Sequence, residues 1–236
     1  MEIGSSEWSN LIAKGARRFG IQVDRKQLEL FAVHAAELLK WNRKINLTTI
    51  TDPYEIAVKH FLDSLAPANL ICAQATLLDI GSGGGFPGLP LKICMPSLSV
   101  TLIDASRKKV NFMKHVLRML KLQDIQARHI RAEDLAHEPG RANAHDVIIS
   151  RALSSLPQFA SLSKPLLKRT GVMIALKAQI DPAELEGMKP GQSGEAVAQI
   201  GKERFMLAVK NYKLPYVGAK RSIVTIRHQK PALTEG

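Results

Sequence analysis

"LLDIGSGGGFPGLPL", residues 77–91, is an apolar, strand-like run that accepts an acid at Asp79 and then breaks into Gly81, Gly83, Gly84, Gly85 and Gly88. A glycine cluster is by default a flexible loop, but this one sits between a strand signal and a helix signal, where ligand cradles form. A P-loop would need Gly-Lys-Ser or Gly-Lys-Thr after the glycines, and Phe86-Pro87-Gly88 supplies neither. A dinucleotide fingerprint is matched by Gly83, Gly85 and Gly88, with Asp104 as the later acid, although Pro87 removes an N–H that a pyrophosphate would want. S-adenosylmethionine explains more of the residues. It carries a sulfonium and an ammonium and no phosphate, so it calls for nearby carboxylate and close backbone approach. Asp79 is expected beside the positive end, and Gly81, Gly83 and Gly85 where larger side chains would collide.

Outward from this stretch the chain alternates. Short β-branched or apolar runs at 76–80, 99–104, 125–130, 146–150 and 171–177 are separated by helical stretches near 88–95, 106–121 and 155–168. Repeating βα units predict a mostly parallel sheet covered on both faces, with ligands at the carboxyl ends of its strands. Two further runs, 203–214 and 221–228, are joined by a turn with Pro and Gly and predict an antiparallel pair that closes the sheet. Asp104 ends the second strand, where it suits ribose hydroxyls, and "RAED" (131–134) follows the third, placing Ala132 and Glu133 toward an adenine. Taken alone, Asp104 is also compatible with a helix cap and Glu133 with a solvated turn. Asp79 is harder to explain that way, because an acid inside a buried strand needs a partner.

The first 70 residues read as helices. Asp24 and Gln27 form a capping-box pattern, and Asp52-Pro53 opens a helix predicted to reach about Leu65. The expected organisation is a helical extension over 1–70, an α/β domain over 71–230 and a flexible tail over 231–236. Charge divides the same way: 33 Lys and Arg oppose 21 Asp and Glu, and residues 1–70 carry a net of +1 against +11 for the rest. Such a basic domain attracts polyanions, nucleic acid first among them. No stretch approaches the ~20 apolar residues a membrane helix needs. The N-terminus lacks a secretory pattern, and Cys72 and Cys94 show no metal or redox spacing, so the expectations are a cytoplasmic protein and no metal.

The chain resembles the bacterial 16S rRNA guanine-N7 methyltransferases, the glucose-inhibited division protein B family. The resemblance rests on "KWNRKINLT" (40–48), "VKHFLDSL" (58–65), the glycine stretch, "TLIDASRKKVNFM" (101–113), "RAEDL" (131–135) and "ISRALSSL" (149–156). It implies a monomeric class I (Rossmann-like) methyltransferase that moves a methyl group from S-adenosylmethionine to guanine N7 in the decoding-region loop of 16S rRNA, with the small ribosomal subunit as partner. By the family pattern the ligand meets Gly81, Phe86, Ala132, Glu133 and Arg151. Ala178 stands where that pattern has glycine.

The chemistry agrees. Guanine N7 has an in-plane lone pair and no proton to lose, so transfer needs positioning and desolvation and no general base. Pyrimidine-carbon methylation would want a cysteine nucleophile, and neither cysteine is placed for it. Arg151 is the residue expected at the reacting end, holding ligand or guanine by its fork of donors, with a cap or surface phosphate contact as the plainer alternative. Trp41, Asn46, His60 and Asp63 are expected to pack helices onto the sheet edge. Phe86 is expected to stack on adenine or base, or else to be an apolar residue opening a helix. Arg107, Lys108, Lys109, Lys114, Arg118 and Lys121 form a basic helix face suited to RNA backbone. Two other functions fit less of this: a nucleotide-dependent oxidoreductase, and a non-catalytic RNA-binding protein on a methyltransferase fold.

Overall fold

The acid-bearing run becomes β1 (Thr76–Ile80), the central strand of the parallel half of the sheet. The computed structural model describes residues 1–151, 155–185, 189–190, 196–200 and 203–229; residues 152–154 of "ISRALSSL" and the 231–236 tail lie outside them. After β1 come α5 (Gly88–Cys94), β2 (Ser99–Asp104), α6 (Arg107–Leu120), β3 (Ile125–His129), α7 (Ala132–Ala136), β4 (His145–Arg151), α8 (Leu156–Ser163) and β5 (Leu167–Lys177). The five strands run parallel in the order β3-β2-β1-β4-β5. Chain direction across the sheet reverses between β1 and β4, and Asp79 on β1 is in register with Ile149 on β4. An open α/β sheet presents its ligand crevice at that reversal.

The antiparallel pair is present as β8 (Glu203–Lys213) and β9 (Lys220–His228), with β9 against β5. It does not close the sheet. β7 (Ala196–Ile200) and β6 (Lys189–Pro190) add themselves beyond β8, giving nine strands among the described residues. The reason is local: β7 is a five-residue strand with no fully buried residue, too weakly patterned to stand out from its Gly- and Glu-rich surroundings. Because β9 opposes β5, the β8–β9 turn lies at the carboxyl end of the parallel strands, on the same rim as the glycine loop.

The N-terminal helices are α1 (Ser6–Arg17) and α2 (Arg25–Asn42), the latter opened by the Asp24–Gln27 capping box. The helix begun by Asp52 and Pro53 is not uniformly α. A short α3 (Pro53–Glu55) passes into a π-helical segment, Ile56–Leu62, before α4 (Asp63–Leu65). Trp8, Phe31 and Phe61 share one apolar cluster with Leu77, Val100 and Ile149 on the sheet. The opposite face is buried under α7 and α8 through Leu135, Leu156 and Phe159.

Candidate functional site

The glycine loop owes its shape to backbone conformations that side chains resist. Gly81, Gly83 and Gly85 have φ of +73°, +57° and +89°. A Cβ at Gly81 would meet nothing within 4 Å, so that residue borders open space. Gly88 is required for a different reason: its Cβ would lie 2.5 Å from Leu102 and 2.8 Å from Asp79, where α5 crosses β1 and β2.

Asp79 is fully buried beneath this loop. One carboxylate oxygen accepts the Gly88 N–H at 2.8 Å, and the other has no hydrogen-bond partner. Burial pushes its pKa up to about 7. The expected direct contact with a cation is therefore not what the fold offers, because Asp79 anchors α5 from below. Asp104 is at the rim. Oδ2 accepts the Gly83 N–H at 3.0 Å and Oδ1 the Ser106 N–H at 2.8 Å, leaving each oxygen a lone pair for an outside donor. Ala132 is buried at the start of α7, and Glu133 beside it is exposed.

The loop's N–H groups decide between cofactors. Gly81 and Ser82 both donate to Ile103 O, Gly83 to Asp104, Gly85 and Phe86 to Ser82 O, and Gly88 to Asp79. A pyrophosphate needs such donors free and no carboxylates behind them. These six donors are spent internally over two acids, which suits a phosphate-free, positively charged nucleoside. S-adenosylmethionine, which asks for no phosphate donors, fits that cradle.

Across the β1–β4 reversal the site is built from side chains. Arg151, at the end of β4, donates from Nη1 to Lys59 O and from Nη2 to His60 Nδ1, both at 2.9 Å, and its Nη1 lies 3.7 Å from Asp63 Oδ2. A guanidinium only donates, so His60 Nδ1 is a lone pair and its Nε2–H donates to Thr48 Oγ1 at 2.9 Å. Burial, and then the Arg151 charge, pull the His60 pKa down to about 3, so the ring is neutral. Asp63 accepts the Tyr212 hydroxyl at 2.6 Å and lies 3.7 Å from Arg221. The π-helical segment thus presents Lys59 and His60, with Asp63 just after it, to a strand end 91 residues downstream of His60. Such segments recur at functional sites.

Two expectations are corrected here. His60 and Asp63 do not merely pack helices onto the sheet edge, because they form the floor of this charged cluster. Phe86 cannot stack on a base, since His34 covers one face at 4.7 Å and His60 lies parallel to it at 4.6 Å. Arg151 stands 5.2 Å over the same ring, which shields the apolar wall between glycine loop and cluster. His34 donates from Nε2 to Gly84 O at 2.7 Å, and burial lowers its pKa to about 4. Trp41 does pack, against Phe112 and His115.

A cleft of about 680 Å³ opens against Arg151, lined by Asn46, Thr48, His60, Asp63, Lys177 and Arg221 among others, including Ala178. Lys177, ending β5, pairs with Glu184 at 2.8 Å. On α6, Arg107, Lys108, Lys114 and Arg118 are exposed, as is Lys121 just past its end, and with the half-buried Lys109 they make no ion pair among the described residues. Among the described residues no helix is long and apolar enough to cross a membrane. Nor do three His, Cys, Asp or Glu side chains there gather as a metal site.

The sheet order, the glycine loop after β1 and the antiparallel hairpin are those of the class I, Rossmann-like S-adenosylmethionine-dependent methyltransferases. The Bacillus subtilis M1A22 tRNA methyltransferase TrmK shares the fold at a TM-score of 0.55, with 13% identity over 73% of this chain and 67% of that one. Pyrococcus horikoshii TYW2, solved with MeSAdo, gives 0.51, with 15% identity over 73% and 63%. The particular family follows from sequence. The GidB family model, "rRNA small subunit methyltransferase G", matches residues 27–206. The ribosomal RNA small subunit methyltransferase G of Geobacter sp. (strain M21) is 43% identical over 92% of this chain and 95% of its own length. That of Geobacillus kaustophilus is 38% identical over 89% and 87%. The chain belongs to this rRNA small subunit methyltransferase G family.

Proposed function

We propose that this chain transfers the methyl group of S-adenosylmethionine to N7 of a guanine in the decoding-region loop of small-subunit rRNA. The observation that carries the reading is the junction at the β1–β4 reversal. There a loop unfit for phosphate abuts an arginine-walled cleft wide enough for a purine. Gly81, Gly83 and Gly85 would cradle the cofactor, Asp104 its ribose, and Ala132 and Glu133 its adenine, while Asp79 acts only through the loop it anchors. Bound S-adenosylmethionine supplies an electrophilic methyl on a positive sulfur. The protein's own part is to orient and to exclude water.

Arg151 is held by three partners and so fixes the wall between the two halves. His60 and His34 stay neutral, adding no second positive charge beside a sulfonium. Thr48 accepts from His60 Nε2–H and from the Ile50 N–H, and keeps its own hydroxyl proton to offer into the cleft. No residue is asked to remove a proton, in keeping with an N7 nucleophile. The reading includes a single copy working in the cytoplasm, which sedimentation of the purified protein and cell fractionation check. The decisive experiment incubates the protein with labelled S-adenosylmethionine and small subunits or their rRNA from cells lacking it. Label mapped to one guanine is the expected result, and cofactor binding without transfer to any ribosomal substrate refutes the reading.

A further inference from the structure

The β8–β9 hairpin carries a feature the methyl-transfer site does not use. Lys213 and Lys220 face each other directly across the two strands, in register and both exposed. Like charges opposed in an antiparallel pair repel. Among the described residues neither ammonium has a carboxylate partner, although Arg221 and Tyr212, the next pair along, are tied to Asp63. The repulsion is therefore left standing on one face while the other is neutralised.

That face is not flat. Lys213 and Lys220 line a groove of about 590 Å³ together with the exposed Val209 and Asn211, and with Ser222, whose hydroxyl donates to Asn211 Oδ1 at 2.7 Å. The groove and the Arg151 cleft share Ala178 and Arg221 in their walls, so the two meet at the end of β5. The turn between the strands is pinned to the N-terminal helix, where the Tyr216 hydroxyl donates to Leu11 O at 2.9 Å and Arg18 sits 5.0 Å over the Tyr216 ring. Hence the lysines are presented from a fixed element at the lip of the cleft.

We infer that this groove is a second RNA subsite, in which Lys213 and Lys220 hold backbone phosphates of the nucleotides flanking the target guanine. Asn211 and Val209 offer an amide and an apolar surface for an adjoining base. The inference rests on the rRNA methyltransferase reading and specifies how the strand leaves the cleft. Binding is through phosphate charge, so it carries register along the strand and no sequence reading of its own.

The test compares wild type with Lys213→Gln/Lys220→Gln and with a control, Lys14→Gln/Lys26→Gln, that removes two exposed lysines of the N-terminal helices. Binding of a single-stranded small-subunit rRNA fragment is titrated against salt. Losing two phosphate contacts should flatten the slope of log K against log salt by about 1.4, since each contact to a single strand contributes about 0.7. KM for rRNA should rise about tenfold, with kcat and S-adenosylhomocysteine affinity unchanged. An unaltered slope and KM overturn the subsite while leaving the methyltransferase reading intact, and an equal flattening in the control overturns it as a general charge effect. If wild type transfers no methyl to rRNA at all, the reading beneath it fails instead.

Discussion

The two halves of the site are built by opposite means. On the β1–β2 side the chain makes a cradle from backbone: three left-handed glycines, internally spent N–H groups and an acid at a strand end. On the β4–β5 side it makes a cleft from long side chains that meet from distant parts of the chain, Asp63, Arg151, Tyr212 and Arg221 among them. On the proposed function the difference follows from the ligands. A small constant nucleoside is held by main chain at close range. A base within a large polyanion requires a fixed cation and a dry wall, and these must be assembled in three dimensions.

Acid separates the halves most strongly. His34 and His60 in the wall beside Phe86, and His145 buried at the start of β4 away from it, are held neutral in the fold at about 4, 3 and 4, against 6.5 when unfolded, so their contribution is complete above pH 6.5 and is lost as pH falls below it. Asp79 runs the other way: its folded pKa of about 7 exceeds the unfolded 3.8, so it opposes folding at high pH and relents on acidification. Between these limits the unfolded chain takes three protons and the fold one. Stability should fall by up to about 2.7 kcal/mol per pH unit, two net protons at about 1.36 each. Urea titrations at about pH 7, 6 and 5 read this directly. Constant or rising stability on acidification would remove the neutral-histidine wall from the account.

Arg151→Lys keeps the charge and loses the fork. If Arg151 belongs to the target half, methyl transfer at saturating cofactor drops about a hundredfold. Affinity for S-adenosylhomocysteine in calorimetry then changes by less than about threefold. Equal losses in both would move Arg151 to the cradle. Gly81→Ala probes the opposite half. Its Cβ meets no protein atom, so stability should fall by only about 1–2 kcal/mol, the cost of a left-handed alanine. Cofactor affinity should fall at least about tenfold, and unchanged affinity would show that the cradle lies elsewhere. Tyr212→Phe is the mildest change. Removing the hydroxyl that donates to Asp63 should cost about 1.5 kcal/mol in urea midpoint analysis and leave cofactor binding alone.

Much of the cradle half was legible in the sequence because its determinants are local. The strands at 76–80 and 99–104 begin and end as the apolar runs do, and the glycines mark left-handed turns that only the backbone dictates. The Asp24–Gln27 box and the Asp52 cap were equally local. Asp79 misled in one respect. Its position in the strand was plain, but whether its carboxylate faced a ligand or Gly88 depended on how α5 packs. The target half was largely hidden. Nothing in the sequence near His60 and Asp63 named Arg151, Tyr212 and Arg221 as their partners. Phe86 looked free to stack because both histidines that cover it lie far away in sequence. The β6–β7 edge was missed because β6 is two residues long and β7 is short and only partly buried.

The widened turn at 56–62 has a consequence for how this protein tolerates change. A π-helical turn amounts to an α-helix carrying one surplus residue. Deleting any single residue there would let the segment tighten into ordinary helix and swing Lys59 and His60 relative to Asp63, with the flanking apolar contacts able to survive. Chain length across those seven positions therefore encodes the alignment of the charged cluster. A variant shortened by one residue could remain folded and bind its nucleoside, yet present the wrong groups to the target.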